Sequence, residues 1–352
     1  MTDNLGLGNL YENDISEVAQ SIRNFLNEVI QKDKLFLPTL KMSRHAIKGL
    51  SEIILTGSGQ SFCTAQAMAH NTEMLTDLPT YAIPSALLKG TRGVLYRDAL
   101  VVAISQSGES DDTISAVKRA LGNGAKVVTV TAKDSTLAKM CKCKIHLTDC
   151  DTSLCTFQNE YLAVAMLSMY LGETLGCMSK INMSVSLRLA QMLPGKLSFT
   201  PNSEKELQNV ADFIGKFDNI VFCGYSTDEA LAQAVAEKFR LIAGKTAFAL
   251  PIYDIAQSCL ELKSTLIVPI VSNSASMPIV MPYIDAIKYS CADTIIYTTK
   301  NIAQDCEITD GTVTVDDSIP LFNPITLATV LQQTILELEV NTISISDSDQ
   351  SA

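Results

Sequence analysis

The chain has 352 residues, of which 47% are apolar and 18% are charged, and this composition excludes a chain that is disordered throughout. The length is typical of about two domains. A formal net charge of −11 argues against nucleic acid and anionic membranes as partners, although local amides and hydroxyls can still hold a small phosphate ligand.

Cysteine and histidine usage predicts reduced thiols and no metal site. Ten cysteines are scattered without paired spacing, and three histidines are too few for a typical zinc site. The polar N-terminus predicts no signal peptide, and the longest mostly apolar run, residues 161–171, is too short for a membrane span. We therefore expect a cytoplasmic protein without a membrane partner.

Residues 1–50 are predicted to form a helical arm. Apolar residues recur there at helical spacing, and Asp14 and Ser16 are candidate caps. The apolar set is Ile15, Val18, Ile22, Phe25 and Val29. Such a stripe predicts packing against a neighbouring part of the chain or against a partner chain.

Residues 53–55 are predicted to form a buried strand that ends in a glycine loop and leads into a helix. Gly57 and Gly59 begin the pattern G-x-G-x-x-G, but Phe62 stands at its last position. No acidic residue ends the next predicted strand, residues 79–83. Because the dinucleotide-binding fingerprint fails at two places, we expect no nicotinamide or flavin cofactor.

The chain is organised around residues 101–113, which predict a strand, a polar loop and a helix N-terminus. We call residues 105–110, with the sequence S-Q-S-G-E-S, the serine loop. Free backbone N–H groups and the helix dipole favour an anion at such a point, and the hydroxyls add donors. The alternative is an ordinary helix start, with Ser110 or Asp111 as N-cap.

Strands and helices continue to alternate, which predicts a parallel sheet covered by helices on both faces. Further strands are expected at residues 99–104, 126–130 and 145–147, and helices at 113–121, 135–140 and 159–175. Prolines and glycines split two helical stretches within residues 177–217, at 193–196 and 200–203, and the domain boundary is expected there.

The second half of the chain repeats the first at a shift of 167 residues, from Gly57 to Gly224. This predicts a tandem repeat of one α/β domain. In the second copy, residues 271–276 read V-S-N-S-A-S, so the glycine and the register of the hydroxyls are lost. We therefore expect one phosphate site per chain, in the first copy.

Two motifs resemble those of a known protein family. The serine loop and the G-Q-S of residues 59–61 are similar to motifs of the double sugar-isomerase (SIS) domain proteins, among them the isomerase domain of glucosamine-6-phosphate synthase and the fructosamine-6-phosphate deglycases. The resemblance extends over residues 14–340. It implies two flavodoxin-like SIS domains in tandem. The expected division is a helical arm at 1–50, domains at 51–195 and 205–340, and a C-terminal tail at 341–352.

The resemblance also implies which residues hold the ligand. The segment 151–156 would border the sugar. The implied phosphate ligands are Ser61, Ser105, Gln106, Ser107 and Ser110, and the implied sugar neighbours are Gly59 and Leu154. The partner molecule would be a phosphorylated sugar or amino sugar.

The chain departs from the family's catalytic pattern. Isomerases of this family use a glutamate on the first helix of the second domain, a histidine on the next loop and a lysine near the C-terminus. Here Leu241 stands at the glutamate position and Gln257 at the histidine position, and the tail has no lysine. The histidine commonly comes from a neighbouring subunit, so a homodimer is implied.

The remaining catalytic candidates are Glu237, Lys238 and Asp254, with Gln257 as a hydrogen-bond donor to a ring oxygen. Lys238 is also a candidate amine nucleophile. As alternatives, Glu237 and Lys238 are a solvated pair on a helix, and Asp254 is a turn residue after Pro251.

Two functions follow from these residues. The first is a phosphosugar isomerase, deaminase or deglycase-like enzyme of carbohydrate metabolism, acting on a ketose, amino-sugar or fructosamine 6-phosphate. The second is a phosphosugar-binding protein or sensor without turnover, favoured by the missing glutamate, histidine and lysine. The absence of a DNA-binding or other output segment favours the enzyme.

Overall fold

The computed structural model describes residues 5–90, 98–148, 155–197, 204–257, 265–290, 293–305 and 311–349. The chain forms two compact units. The first unit is Gln20–Pro194, and the second unit is Gly195–Ala352 together with Met1–Ala19. Each unit contains its own five-stranded sheet.

The N-terminal region is a long helix followed by a small hairpin and a short helix. The elements are α1 (Leu5–Val29), β1 (Ile30–Gln31), β2 (Lys34–Leu35) and α2 (Arg44–Lys48). Apolar residues of the predicted stripe, among them Val18 and Ile22, are buried. Residues 20–50 belong to the first unit rather than to an arm of their own.

The first unit is built on a parallel sheet. Its strands are β3 (Glu52–Thr56), β4 (Thr80–Ala82), β5 (Ala99–Ser105), β6 (Lys126–Thr131) and β7 (Cys143–His146). Its further helices are α3 (Gln60–Thr76), α4 (Ser85–Gly90), α5 (Asp111–Gly122), α6 (Thr136–Met140), α7 (Cys155–Leu175) and α8 (Lys180–Leu197). The strand order β4-β3-β5-β6-β7 is the flavodoxin-like order of a doubly wound sheet.

The central strand β5 shows why this sheet forms. All seven of its residues are buried, as expected for an apolar strand covered on both faces. Val101 and Ala103 pack against α4, α5 and α6. Leu100 and Val102 point to the opposite face, because successive side chains of a strand alternate.

The second unit repeats this architecture with the strand order β12-β11-β10-β8-β9. Its strands are β8 (Asn219–Gly224), β9 (Thr246–Pro251), β10 (Thr265–Val271), β11 (Ile296–Thr299) and β12 (Thr312–Val315). Its helices are α9 (Glu204–Gly215), α10 (Thr227–Ile242), α11 (Met277–Tyr289), α12 (Lys300–Asp305) and α13 (Asn323–Asp349), with 3-10 helices at Ile252–Gln257 and Ser274–Ser276. Two parallel sheets with flanking helices agree with the predicted α/β class.

Two helices extend further than the sequence predicts. The predicted break at residues 193–196 lies inside α8, which contains Pro194 near its C-terminal end. Leu193 and Leu197 are fully buried and hold this last turn in place. The expected tail at 341–352 is helical as far as Asp349, because residues 325–349 contain neither glycine nor proline to end the helix.

Helix α7 is almost entirely buried and packs against α3. Cys155, at its first position, is disulfide-bonded. The expectation of reduced thiols is therefore wrong for Cys155, although Cys63, Cys141, Cys143, Cys177 and Cys223 carry free thiols.

Among the described residues, none of the helices combines the length and apolarity that a bilayer crossing requires.

Candidate anion-binding site

The candidate site lies where β3 and β5 meet in the first unit. These strands are parallel neighbours, and the chain leaves β3 toward β4 but leaves β5 toward β6 on the other side. In doubly wound sheets this switch point opens a crevice at the carboxyl ends of the strands, where ligands bind. The glycine loop before α3 and the serine loop before α5 both lie at this edge.

Two glycines make the tight loop geometry possible. A Cβ atom on Gly57 would lie 2.6 Å from the backbone carbonyl carbon of Ser61. Gly108 has a φ of +69°, and a Cβ there would collide with the side chains of Ser135 and Thr131. Gly59, a predicted sugar neighbour, is the N-cap residue of α3.

Three serine hydroxyls of the serine loop act as acceptors inside the loop. Ser105 Oγ accepts from the Gly108 N–H at 3.1 Å, and Ser107 Oγ accepts from the Glu109 N–H at 3.3 Å. Ser110 Oγ accepts from the Thr113 hydroxyl at 3.3 Å. Among the described residues no acceptor takes the three serine hydrogens, so each remains available to an anion.

The N-terminus of α5 is left open toward the loop. Ser110 occupies the N-cap position, as the alternative interpretation predicted, but its side chain makes no capping hydrogen bond. An uncapped first turn presents backbone N–H groups and the positive end of the helix dipole. The helix start therefore adds donors to those of the serine hydroxyls.

Ser61 differs from the other serines, because its hydrogen is already engaged. Ser61 Oγ donates to Glu160 Oε1 at 2.6 Å, and Thr64 Oγ1 donates to Glu160 Oε2 at 3.1 Å. The Gln106 backbone N–H also donates to this carboxylate. Glu160 is fully buried on α7, and burial raises its pKa to about 7 against the lowering effect of these hydrogen bonds.

The sequence analysis missed Glu160. The available signal was a charged residue within an otherwise apolar helix: Glu160 and Glu173 are the charged residues of α7. A buried carboxylate of this kind needs hydrogen-bond donors, and the structure supplies them from the two loops at the switch point.

A line of buried hydroxyls supports the loops from below. Thr56 Oγ1 lies 3.1 Å from Ser85 Oγ, which lies 3.2 Å from Thr113 Oγ1. Ser58 Oγ lies 3.4 Å from the same Thr113 oxygen. These contacts join the end of β3 to the first residues of α4 and α5, so Thr113 positions the loops.

Gln106 and Glu109 have different roles within the serine loop. Glu109 accepts from the Thr136 N–H at 2.8 Å and from the Thr136 hydroxyl at 2.7 Å; these bonds hold the pKa of Glu109 below its usual value and fix the start of α6. The Gln106 side-chain oxygen is buried and has no partner within the described residues. A ligand hydroxyl can satisfy this oxygen.

The predicted catalytic residues lie in the second unit. Lys238 on α10 is buried; burial lowers its pKa, and the charge of Glu237 opposes that effect. Asp254 is exposed in the 3-10 helix that ends at Gln257. Leu241, which was expected at the position of the family's glutamate, is 73% exposed. The predicted sugar neighbour Leu154 lies outside the described residues.

A cavity of about 680 Å³ lies between α10 and β9 in the second unit. Its lining includes Glu229, whose pKa is raised by burial and then by the charge of Asp254. Arg240 also lines it and donates to the Ala247 carbonyl at 2.6 Å. Within the described ranges, no three His, Cys, Asp or Glu side chains are grouped so as to hold a metal ion.

Comparison with known proteins identifies the domain around the candidate site. Residues 47–171 match the family model of the SIS domain, so the resemblance drawn from the serine loop is confirmed there. The glutamine–fructose-6-phosphate aminotransferase (isomerizing) of Corynebacterium glutamicum is 25% identical over 253 residues, covering 68% of this chain and 39% of that protein. The chain thus spans about two fifths of that relative's length.

Solved structures share the fold over almost the whole chain. The C-terminal domain of glucosamine-fructose-6-phosphate aminotransferase from Francisella tularensis superposes with a TM-score of 0.85 at 16% identity, covering 94% of this chain and 96% of that one. Tagatose-6-phosphate ketose/aldose isomerase from Escherichia coli gives a TM-score of 0.66 at 15% identity, covering 94% and 92%. At these identities the likeness shows the fold alone.

Proposed function

We propose that this chain, which carries an SIS domain at residues 47–171, binds a sugar phosphate at the serine loop and isomerises it. The observation that supports this most strongly is the set of three serine hydrogens that have no acceptor among the described residues, beside the uncapped start of α5. A phosphate presents several acceptor oxygens and negative charge, and this arrangement offers donors and a positive dipole.

In this proposal the phosphate is held by Ser61, Ser105, Gln106, Ser107 and Ser110, and Gly59 and Leu154 border the sugar. The substrate is a ketose, amino-sugar or fructosamine 6-phosphate. Aldose–ketose isomerisation needs a base that moves a proton between C1 and C2. Lys238 is the first candidate, because burial lowers its pKa toward the range in which an amine accepts protons.

Glu237, Asp254 and Gln257 complete the set of proposed catalytic residues. Asp254 and Glu237 are carboxylates able to accept a proton, whereas Gln257 can donate a hydrogen bond but cannot transfer a proton. A homodimer, a cytoplasmic location and the division into domains at 51–195 and 205–340 remain parts of the proposal.

Two observations favour a second function, a phosphosugar-binding protein without turnover. The side chain at the family's glutamate position is Leu241, which faces solvent, and the chain has no histidine after His146. A binding protein needs the serine loop but neither of these groups.

Proton NMR in heavy water separates the two functions. The protein is incubated with fructose 6-phosphate, glucosamine 6-phosphate and a fructosamine 6-phosphate. Solvent exchange at C1 or C2, or release of the amine, supports the enzyme, and Lys238→Met should then abolish it, with exposed Lys118→Met as the control. Binding without exchange, lost in Ser107→Ala, would establish the binding protein instead.

A further inference from the structure

Four serines of the two loops, residues 61, 105, 107 and 110, differ in whether their hydroxyl hydrogen is donated within the described residues. Ser105, Ser107 and Ser110 accept hydrogen bonds, and in the part of the chain that the structure describes their own hydrogens have no acceptor. Ser61 donates its single hydrogen to Glu160 Oε1 at 2.6 Å. While Glu160 is ionised, Ser61 therefore has no hydrogen to offer to an anion.

Protonation of Glu160 changes the direction of this hydrogen bond. A carboxyl group that carries a proton on Oε1 donates it to Ser61 Oγ, and the Ser61 hydrogen then turns to the anion. Glu160 Oε2 continues to accept from Thr64 Oγ1 at 3.1 Å. The proton comes from the buffer, and no covalent bond besides the O–H bond of the acid is formed.

The electrostatics favour the same exchange. The Gln106 backbone N–H, at the start of the serine loop, donates to the Glu160 carboxylate, so an anion at that loop lies close to Glu160. Two negative charges in a buried site oppose each other, and protonation of the carboxylate removes one of them.

No fixed charge competes with this effect in the described part of the chain. The elements packed against α7 are α3, α2 and β6, and α1 contacts it through the hydrogen bond from Asn159 to Ser21. Their titratable groups, with those of α7 itself, are Glu17, Arg23, Glu28, Cys63, His70, Glu73, Arg44, His45, Lys48, Lys126, Tyr161, Tyr170 and Glu173. None of them is among the causes that shift the pKa of Glu160, which are burial and three hydrogen bonds.

We propose that Glu160 is a proton-coupled positioning residue, which takes up a proton when an anion binds at the serine loop and thereby turns the Ser61 hydroxyl toward that anion. The pKa of Glu160, raised by burial to about 7, supports the proposal, because both protonation states are populated near neutral pH. The identity of the anion as a sugar phosphate rests on the proposed function.

Isothermal titration calorimetry with sulfate tests the coupling, because sulfate does not titrate in this range. Titrations in buffers of different ionisation enthalpy count the protons taken up. At about pH 8 we expect nearly one proton per sulfate, and an affinity that falls about tenfold per pH unit above the pKa of Glu160. Glu160→Gln mimics the protonated acid, so its uptake should vanish and its affinity should not depend on pH.

Glu173→Gln, on the same helix but half-exposed, is the matched control and should behave as the parent protein. Ser61→Ala supplies an independent variant: it removes the hydroxyl that turns toward the anion, so its sulfate affinity should fall at both about pH 6 and about pH 8. An infrared difference spectrum of the parent protein should gain the band of a protonated carboxyl group when sulfate binds.

Sulfate binding without proton uptake, or equal uptake in Glu160→Gln, would overturn the proposal and leave the phosphosugar function intact. Proton-coupled binding of sulfate and fructose 6-phosphate without exchange at C1 or C2 supports the proposal while the enzymatic function fails. If neither anion binds between about pH 6 and about pH 8, both are wrong.

Discussion

Each unit has a buried carboxylate at its switch point, but the carboxylate comes from a different helix in each unit. In the first unit Glu160 approaches from α7, and Ser61 occupies the first turn of α3. In the second unit Asp228 stands 167 residues after Ser61, in the first turn of α10, and accepts from the Ser272 N–H at 2.9 Å. Ser272 follows β10 as Gln106 follows β5.

The second crevice carries a buried carboxylate at the position where the first carries the Ser61 hydroxyl. Asp228 is buried and brings its own negative charge to the helix start, where it uses the loop N–H itself. The side-chain amide of Asn323 donates a hydrogen bond to the Ser272 carbonyl oxygen at 2.8 Å. The second crevice therefore uses its loop N–H within the chain, whereas the serine hydrogens of the first have no acceptor among the described residues, which supports one phosphate site per chain.

The largest expected effect comes from giving the first unit the charge pattern of the second. Ser61→Asp places a carboxylate beside Glu160 and the loop, and we expect sulfate affinity to fall by at least about a hundredfold because two buried like charges oppose a third. Calorimetry measures the loss, and Ser61→Asn is the uncharged control of similar size. Equal losses in both variants would show that charge is not the cause.

A second prediction concerns stability against pH. Burial raises the pKa of Glu160 and of Asp228 to about 7 each, so below about pH 4 the folded and unfolded states both bind these protons. Between about pH 4 and about pH 7 only the folded state binds them, and stability falls as pH rises, by roughly 4 kcal/mol per group at most.

Urea unfolding at about pH 5 and about pH 8 measures this loss. Glu160→Gln and Asp228→Asn should each reduce the difference between the two pH values, and each should leave the contribution of the other unit in place. A pH dependence of stability that is unchanged in both variants would contradict the raised pKa values of Glu160 and Asp228.

A smaller effect is expected from the hydroxyls that support the first crevice. Thr113→Val keeps the shape of the side chain but leaves Ser85 and Ser110 without their partner, which should lower stability by about 1–2 kcal/mol. Sulfate affinity should also fall, since the loop loses its anchor. Ser115→Ala, exposed on the same helix, should change neither quantity.

The smallest effect is expected at Glu109, although it belongs to the serine-loop motif. Its carboxylate is occupied by Thr136, so Glu109→Gln should change sulfate affinity by less than about twofold. Calorimetry on this variant shows whether the motif's glutamate contacts the anion: a large loss would assign it to the site rather than to the start of α6.

Much of the fold could be predicted from the sequence, because apolar strands followed by glycine or serine loops and helices have few arrangements other than a parallel sheet. The convergence of the Gly57 and serine loops follows from that topology. Glu160 could not be placed, because its partner Ser61 lies 99 residues away and nothing in a helical pattern says which loop a buried acid will meet.

Pro194 shows the limit of local rules. Proline and glycine at 194–195 predict an end of the helix, yet burial of Leu193 and Leu197 carries α8 through them. For the catalytic candidates the sequence named positions by resemblance, and they remain predictions. The end of α8 and the positions of the catalytic side chains both depend on packing between residues far apart in the sequence. A short stretch of sequence does not contain that information.

The line of hydroxyls beneath the serine loop has a direction. Thr113 gives its single hydrogen to Ser110, so it must accept at its contact with Ser85, and Ser85 must in turn accept from Thr56. Every O–H dipole along the line then points the same way, and aligned hydrogen bonds polarise one another. The aligned dipoles link the end of β3 to the Ser110 hydroxyl, so an anion that accepts from Ser110 would strengthen the hydrogen bonds beneath it.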